Sequence, residues 1–168
     1  MGLLASIPFV GAHAQGADYQ VEVIVFERNA PDATVVGGGG VSGPAATGAP
    51  PQELAPSRLL LAGAARALQR SGRYRLLIHS GWQQGTEDRP IRLTSESLSA
   101  DGRAIIDGDV RLAVGRELRL QALVHCLYNG QGMMLRGDRR LRLGELHYFD
   151  HPIFGMLVQV TRVNAIAE

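Results

Sequence analysis

Three stretches of this sequence hold side chains whose types and spacing could do chemistry. At 145–152 the chain reads Glu145-Leu146-His147-Tyr148-Phe149-Asp150-His151-Pro152, two histidines four apart with carboxylates close by. On a helix His147 and His151 would share a face and could ligate a divalent metal, as in a metal-dependent hydrolase. Tyr148, Phe149 and Pro152 favour a strand running into a turn, where residues four apart are separated by roughly 13 Å. The zincin order is missing too, because no Glu follows the first histidine. A metal-dependent hydrolase using His147 and His151 is therefore the least favoured of three readings. The other two are a turn that Asp150 caps and Pro152 fixes, with the histidines satisfying buried groups, and a polar recognition surface.

The second stretch is His79-Ser80-Gly81-Trp82-Gln83-Gln84, with the only Trp of the chain. An exposed Trp82 would be a flat apolar platform for a sugar ring, with Gln83 bonding to hydroxyls at its edge; a buried Trp82 would be core. The third is the run Arg136, Arg139, Arg140 and Arg142. In a strand Arg140 and Arg142 fall on one face, opposite Leu141 and Leu143, where they form a solvated face or hold carboxylates through bidentate hydrogen bonds.

The elements that must position these groups belong to one domain. The chain has 168 residues, 45% hydrophobic and 20% charged, the balance of an ordinary globular protein. All 17 basic residues are Arg, which excludes a Schiff-base lysine, a phosphate-loop lysine and a Ser-Lys dyad. A net charge of +1 lacks the basic face of a nucleic-acid binder. Cys126, the single cysteine, sits among Leu123, Val124 and Leu127 and reads as a small buried hydrophobe. No nucleophile elbow or dinucleotide fingerprint occurs, and Gly37 to Gly40 reads as linker.

Residues 1–14 form a short apolar run ending in Ala12-His13-Ala14, the pattern of a signal peptide without its basic start, so the mature chain of 15–168 is expected to be exported. No stretch is long enough to span a membrane. Residues 19–27 alternate as a strand covered on both faces near its end, and 29–56 turn to Gly, Ala and Pro, a flexible loop. Ser57 is the expected N-cap of an amphipathic helix over 58–70, with Leu61, Ala65 and Leu68 on its apolar stripe. Strands follow at 74–82 and 110–126, the latter too long for one strand and so broken at Gly115-Arg116; its odd positions are polar, with Arg111, Arg119, Gln121 and His125. Further strands are expected at 133–143 and 154–163. The fold class is α+β: a mainly antiparallel sheet with one principal helix packed on one face.

Taken in order, YQVEVIVFER, YRLLIHSGWQQ and RRLRLGELHYFDHPIFGMLVQV resemble the CsiV peptidoglycan-binding family of Gram-negative bacteria, over 19–163 apart from the Gly/Pro-rich insertion. The resemblance implies a non-catalytic periplasmic protein without cofactor. Such a protein binds peptidoglycan and supports its synthesis, together with a bifunctional penicillin-binding protein and its outer-membrane lipoprotein activator. It carries over no contact residues. Those proposed from the residues themselves are Trp82 and Tyr148 to stack on glycan rings and Gln83, Glu145, His147, Asp150 and His151 to bond to sugar or amide groups. Arg140 and Arg142 would hold stem carboxylates. The alternative is an adaptor that contacts the synthesis machinery without binding glycan, through a sheet edge or the 29–56 loop.

Overall fold

The computed structural model describes residues 19–29, 47–99, 102–129 and 131–163; the expected signal peptide and residues 30–46 of the expected loop lie outside them. Eight strands and one α-helix form among the described residues: β1 (Tyr19–Arg28), α1 (Ala62–Arg70), β2 (Tyr74–Gln84), β3 (Pro90–Ser99), β4 (Gly102–Val114), β5 (Leu118–Tyr128), β6 (Gln131–Leu141), β7 (Leu146–Asp150) and β8 (Phe154–Arg162). They make two antiparallel four-stranded sheets, ordered β2-β1-β8-β7 and β3-β4-β5-β6. The α+β expectation holds: mainly antiparallel β-structure with one helix.

The order has a simple logic. Every strand lies beside its neighbour in sequence, and β1 pairs with β8 from Tyr19↔Arg162 to Glu27↔Phe154, so the meander closes on itself. The inward residues of both sheets, among them Val21, Val23 and Val25 of β1, Ile106 and Val110 of β4, Val124 of β5 and Met156 and Val158 of β8, fuse into one core. Cys126 belongs to that core, and burial pushes its thiol up to about 12.

Closure is incomplete at two seams where the sheets touch without a ladder, β2/β3 and β6/β7. At the first, residues 47–54 cross from one sheet to the other. Ala49 accepts from the Arg92 amide at 2.9 Å, and the Leu54 amide donates to the Gly81 carbonyl at 2.7 Å. The described end of the expected loop is thus a bonded strap. At the second seam Arg139 Nη1 donates to the Tyr148 carbonyl (2.9 Å), and the buried Phe149 ring lies where a side chain at position 137 would otherwise stand. Only glycine leaves it room.

Because β1 is central, its outer face also needs a cover. Ile24 and Phe26 pack under Leu61, just ahead of α1, and Ala65 of α1, with Leu68 alongside, the stripe that the sequence spacing indicates. The helix start differs from expectation. Pro56–Arg58 forms a 3₁₀ turn, α1 begins at Ala62 after Leu61, and Ser57 caps nothing. The amides of Leu60 and Leu61 donate to Glu22 at 2.7 and 2.8 Å instead. A carboxylate from β1, 1% exposed, therefore replaces the local cap, favoured by the positive end of the helix dipole. His79 on β2 holds the same carboxylate at 2.7 Å.

Two stability measurements check these constraints. Glu22→Ala leaves the buried Leu61 amide and the half-buried Leu60 amide without their acceptor and is expected to cost about 3 kcal/mol in urea unfolding. Gly137→Ala pushes a methyl into Phe149 and is expected to cost about 2 kcal/mol, whereas Gly63→Ala, in α1 with open space around it, should gain about 0.5–1 kcal/mol. Equal effects for the two glycines would contradict the placement of Phe149.

Candidate functional site

The β7 segment is built as a strand, as its aromatic content indicates, and its outward residues meet a partner from far away in sequence. Tyr148 stacks on Phe26 at 6.1 Å between centroids, and Phe26 meets Tyr74 edge-on at 5.1 Å. The Tyr148 hydroxyl donates to Asp150 at 2.5 Å and accepts from Arg28 Nη2 at 2.7 Å, while Arg28 also reaches Asp150. Burial first, then the bond to Asp150, pushes the Tyr148 phenol up to about 12. The Tyr148 hydroxyl and Arg28 together hold Asp150 below the usual carboxylate range.

This corrects the simple turn-cap picture of Asp150, which spans a three-residue network instead. Arg28, Phe26 and Tyr74 were outside the sequence-derived set because their link to Tyr148 is created by β1–β8 pairing.

The histidines do not converge. His147 Nε2 lies 3.1 Å from the Arg142 amide, and His151 Nδ1 accepts from the Ile153 amide at 3.3 Å while its ring tilts on Phe154. Burial lowers the His151 pKa. No group of three or more His, Cys, Asp or Glu among the described residues is placed to hold a metal ion.

Trp82 is a second correction. It points into the core, 1% exposed, with Nε1 donating to Gln84 at 2.9 Å, so its ring offers no face to a sugar. The inward phase of β2 sets this, since alternate positions from Ile78 lead inside. Gln83 faces the other way and borders a groove with Gln52 and Arg58.

The arginine pair is the third correction. β6 stops at Leu141, so Arg142 lies in the turn and does not share a strand face with Arg140. Arg140 pairs with Glu117 at 2.9 Å, and the exposed Arg142 with exposed Glu145 at 3.5 Å.

A larger surface lies on the outer face of β3-β4-β5-β6, on which no described helix or strand packs. Its centre is a concavity of about 330 Å³ bordered by Asp109, Arg111, Gln121, Arg136 and Asp138. Register explains the grouping: Asp109, Leu123 and Arg136 lie in one cross-strand row, and Arg111, Gln121 and Asp138 in the next. Each row carries one cation and one anion across β5.

Arg111 is held by Asp88 at 2.5 and 2.8 Å, Asp138 by Arg119 at 2.6 Å, and Asp109 by the amides of Thr47 and Gly48. Arg136 is exposed and makes no hydrogen bond or ion pair among the described residues. Polar odd positions along 110–126 were the legible trace of this face; that they flank Arg136 becomes visible only with the β5–β6 register.

A broad open sheet face with a guanidinium at its centre that has no partner among the described residues has the form of a binding module. Residues 40–163 match the family model described as Peptidoglycan-binding protein, CsiV, and the chain belongs to that family. The match begins after β1, so the likeness read in YQVEVIVFER lies outside it. No curated protein and no solved structure matches the chain.

The Tyr148 network makes a pH prediction. A phenol whose folded pKa lies above its ordinary value near 10 lets the unfolded chain ionise first, so stability falls as pH rises from about 10 towards about 12. Asp150 works at the other end: its contribution is present above the unfolded carboxylate pKa and is lost as pH falls through the depressed folded value. Melting temperatures at about pH 9 and about pH 11 should show a smaller alkaline drop in Tyr148→Phe than in the parent chain. An identical drop would mean that Tyr148 is free to ionise in the folded state.

Proposed function

We propose that this chain is a non-catalytic peptidoglycan-binding module that works in the periplasm and docks on the wall with the outer face of β3-β4-β5-β6. Membership of a family described as peptidoglycan-binding supports the ligand. The observation that carries the docking face is its concavity with Arg136, which has no partner among the described residues, on a sheet face no described element covers. A sheet face suits an extended polymer because it offers rows of side chains at strand spacing, about 4.8 Å apart. Individually weak contacts then add through repetition along the sacculus.

The β7 rim forms a second contact zone in this reading. Tyr148, 37% exposed, offers the edge of a ring already backed by Phe26, and His147, Asp150 and His151 supply polar groups beside it. Gln83 acts in the groove by the strap, while Arg140, Arg142 and Glu145 exchange their surface pairings for ligand groups at little cost.

The adaptor reading gains support from the same rim, where Leu143, Leu146 and Tyr148 are exposed near one another in sequence. In that role the rim contacts a penicillin-binding protein or its lipoprotein activator. Both contacts are compatible, since the open sheet face and the β7 rim are separate surfaces.

Co-sedimentation with purified sacculi tests the proposal. Retention at low salt that weakens as salt rises is the expected result, because exposed arginine contacts are screened. A chain that stays in the supernatant at low salt would overturn it. For the adaptor role, the lack of lysine makes amine-reactive crosslinkers a poor choice. A photo-crosslinking residue at Leu146 should capture a synthase component, and capture without retention on sacculi would favour the adaptor alone.

A further inference from the structure

The charges around the central concavity are arranged for a ligand of mixed charge. Across the β5 floor of Gln121 and Leu123, β4 contributes Asp109 and Arg111, and β6 contributes Arg136 and Asp138. Arg111 and Asp138 are each neutralised by an ion pair at the margin, with Asp88 and Arg119. Asp109 accepts only neutral donors, the Thr47 amide and hydroxyl and the Gly48 amide, and pins the strap by doing so. Asp109 and Arg136 make no ion pair among the described residues; Arg92, opposite Asp109 on β3, feels its charge but is paired with Asp107. Asp109 and Arg136 stand two strand spacings apart, about 10 Å, on the same row.

A purely anionic ligand would meet Arg136 but also the carboxylates of Asp109 and Asp138, and a purely cationic one would meet Arg136 and Arg111. A zwitterion satisfies both signs. Its carboxylate takes the guanidinium fork in a planar, two-bond arrangement, and its ammonium takes the lone pairs that Asp109 and Asp138 keep free.

We infer that the concavity on the outer face of β4-β5-β6 binds an α-amino-acid head group, its carboxylate on Arg136 and its ammonium towards Asp109 and Asp138. This rests on the wall-binding reading for the source of the group. The stem peptides of peptidoglycan are where a wall polymer carries such groups, on the free end of a diamino acid, so the site would read the stem and not the sugar backbone. A free diamino acid carries the same chemistry.

Titration of the full chain, followed by amide chemical shifts, with three probes separates these possibilities. meso-Diaminopimelate has the head group, pimelate has the carboxylates without ammonium, and 1,5-diaminopentane has ammonium without carboxylate. The expected result is that meso-diaminopimelate shifts the amides of Leu123, Arg136 and Gly137, while the other two bind at least about tenfold more weakly, the loss expected for one charged hydrogen-bonding partner. Arg136→Gln should weaken meso-diaminopimelate by at least about tenfold, with an unchanged melting temperature because Arg136 supports nothing in the fold.

Pimelate binding as tightly as meso-diaminopimelate would overturn the inference, as would an Arg136→Gln chain that binds it normally. If sacculi retain the parent chain and the Arg136→Gln chain alike and no probe shifts these amides, the inference fails and the wall reading stands. If meso-diaminopimelate binds as described but sacculi do not retain the chain, the head-group site stands with the free diamino acid as its source, and the wall reading fails.

Discussion

The pairing of β1 with β8 is the constraint on which the rest depends. It joins the first and last strands at the centre of one sheet, and so turns a sequential meander into a closed two-sheet core. A strand in that position is covered on both faces, which requires the inner valines to meet the second sheet and the outer Ile24 and Phe26 to find another cover. The helix supplies it. Burial of Glu22 under α1 follows from the same geometry, since the outward phase of β1 that presents Ile24 also presents the residue two before it. A buried carboxylate is costly unless fully bonded, and two helix-end amides with His79 meet that need.

The two surfaces proposed to act arise from what closure leaves open. The second sheet has one face in the core and one unroofed, so its strands alternate inward apolar residues with outward ones, and register gathers the charged outward residues around the concavity while Leu127 and Met134 stand exposed beyond them. The β7 rim arises at a seam, where side chains bridge the sheets in place of a backbone ladder. Phe149 closes that gap from within, with the exposed Arg139 over its ring, and Tyr148 and Asp150, on alternate positions, are left outside to meet Arg28.

Much of the fold was legible because strand periodicity is local. The strands at 19–27 and 74–82, the break at Gly115-Arg116 and the apolar stripe of the helix all follow from spacing alone. β3 was not read, although Ile91 and Leu93 alternate with Arg92 and Thr94, because Pro90 at its start and the run of serines resemble loop composition. The division into two sheets was not legible either, since nothing in one strand tells which of its edges stops pairing. The helix start was misplaced because its cap comes from Glu22, and a Ser after a Pro is the stronger local signal.

The candidate site was legible by residue type and hidden in its grouping. The ELHYFDHP segment was recognised as distinctive, yet Arg28, which ties it together, lies 120 residues from Tyr148. Trp82 shows the opposite failure: a conspicuous residue whose strand phase turns it inward. Arg136 was visible as one arginine in a run of four, and only the absence of a partner among the described residues sets it apart.

The position of β8 also governs the order in which the molecule can assemble. Until the C-terminal part is available, β1 can lie beside β2 but has no neighbour on its other edge, and its valines and aromatics have no complete core to enter. The second sheet, four hairpin-linked strands contiguous in sequence, has no such wait. The half that carries the open face can thus form before the last strands arrive, whereas the half that carries the β7 rim must await the final segment.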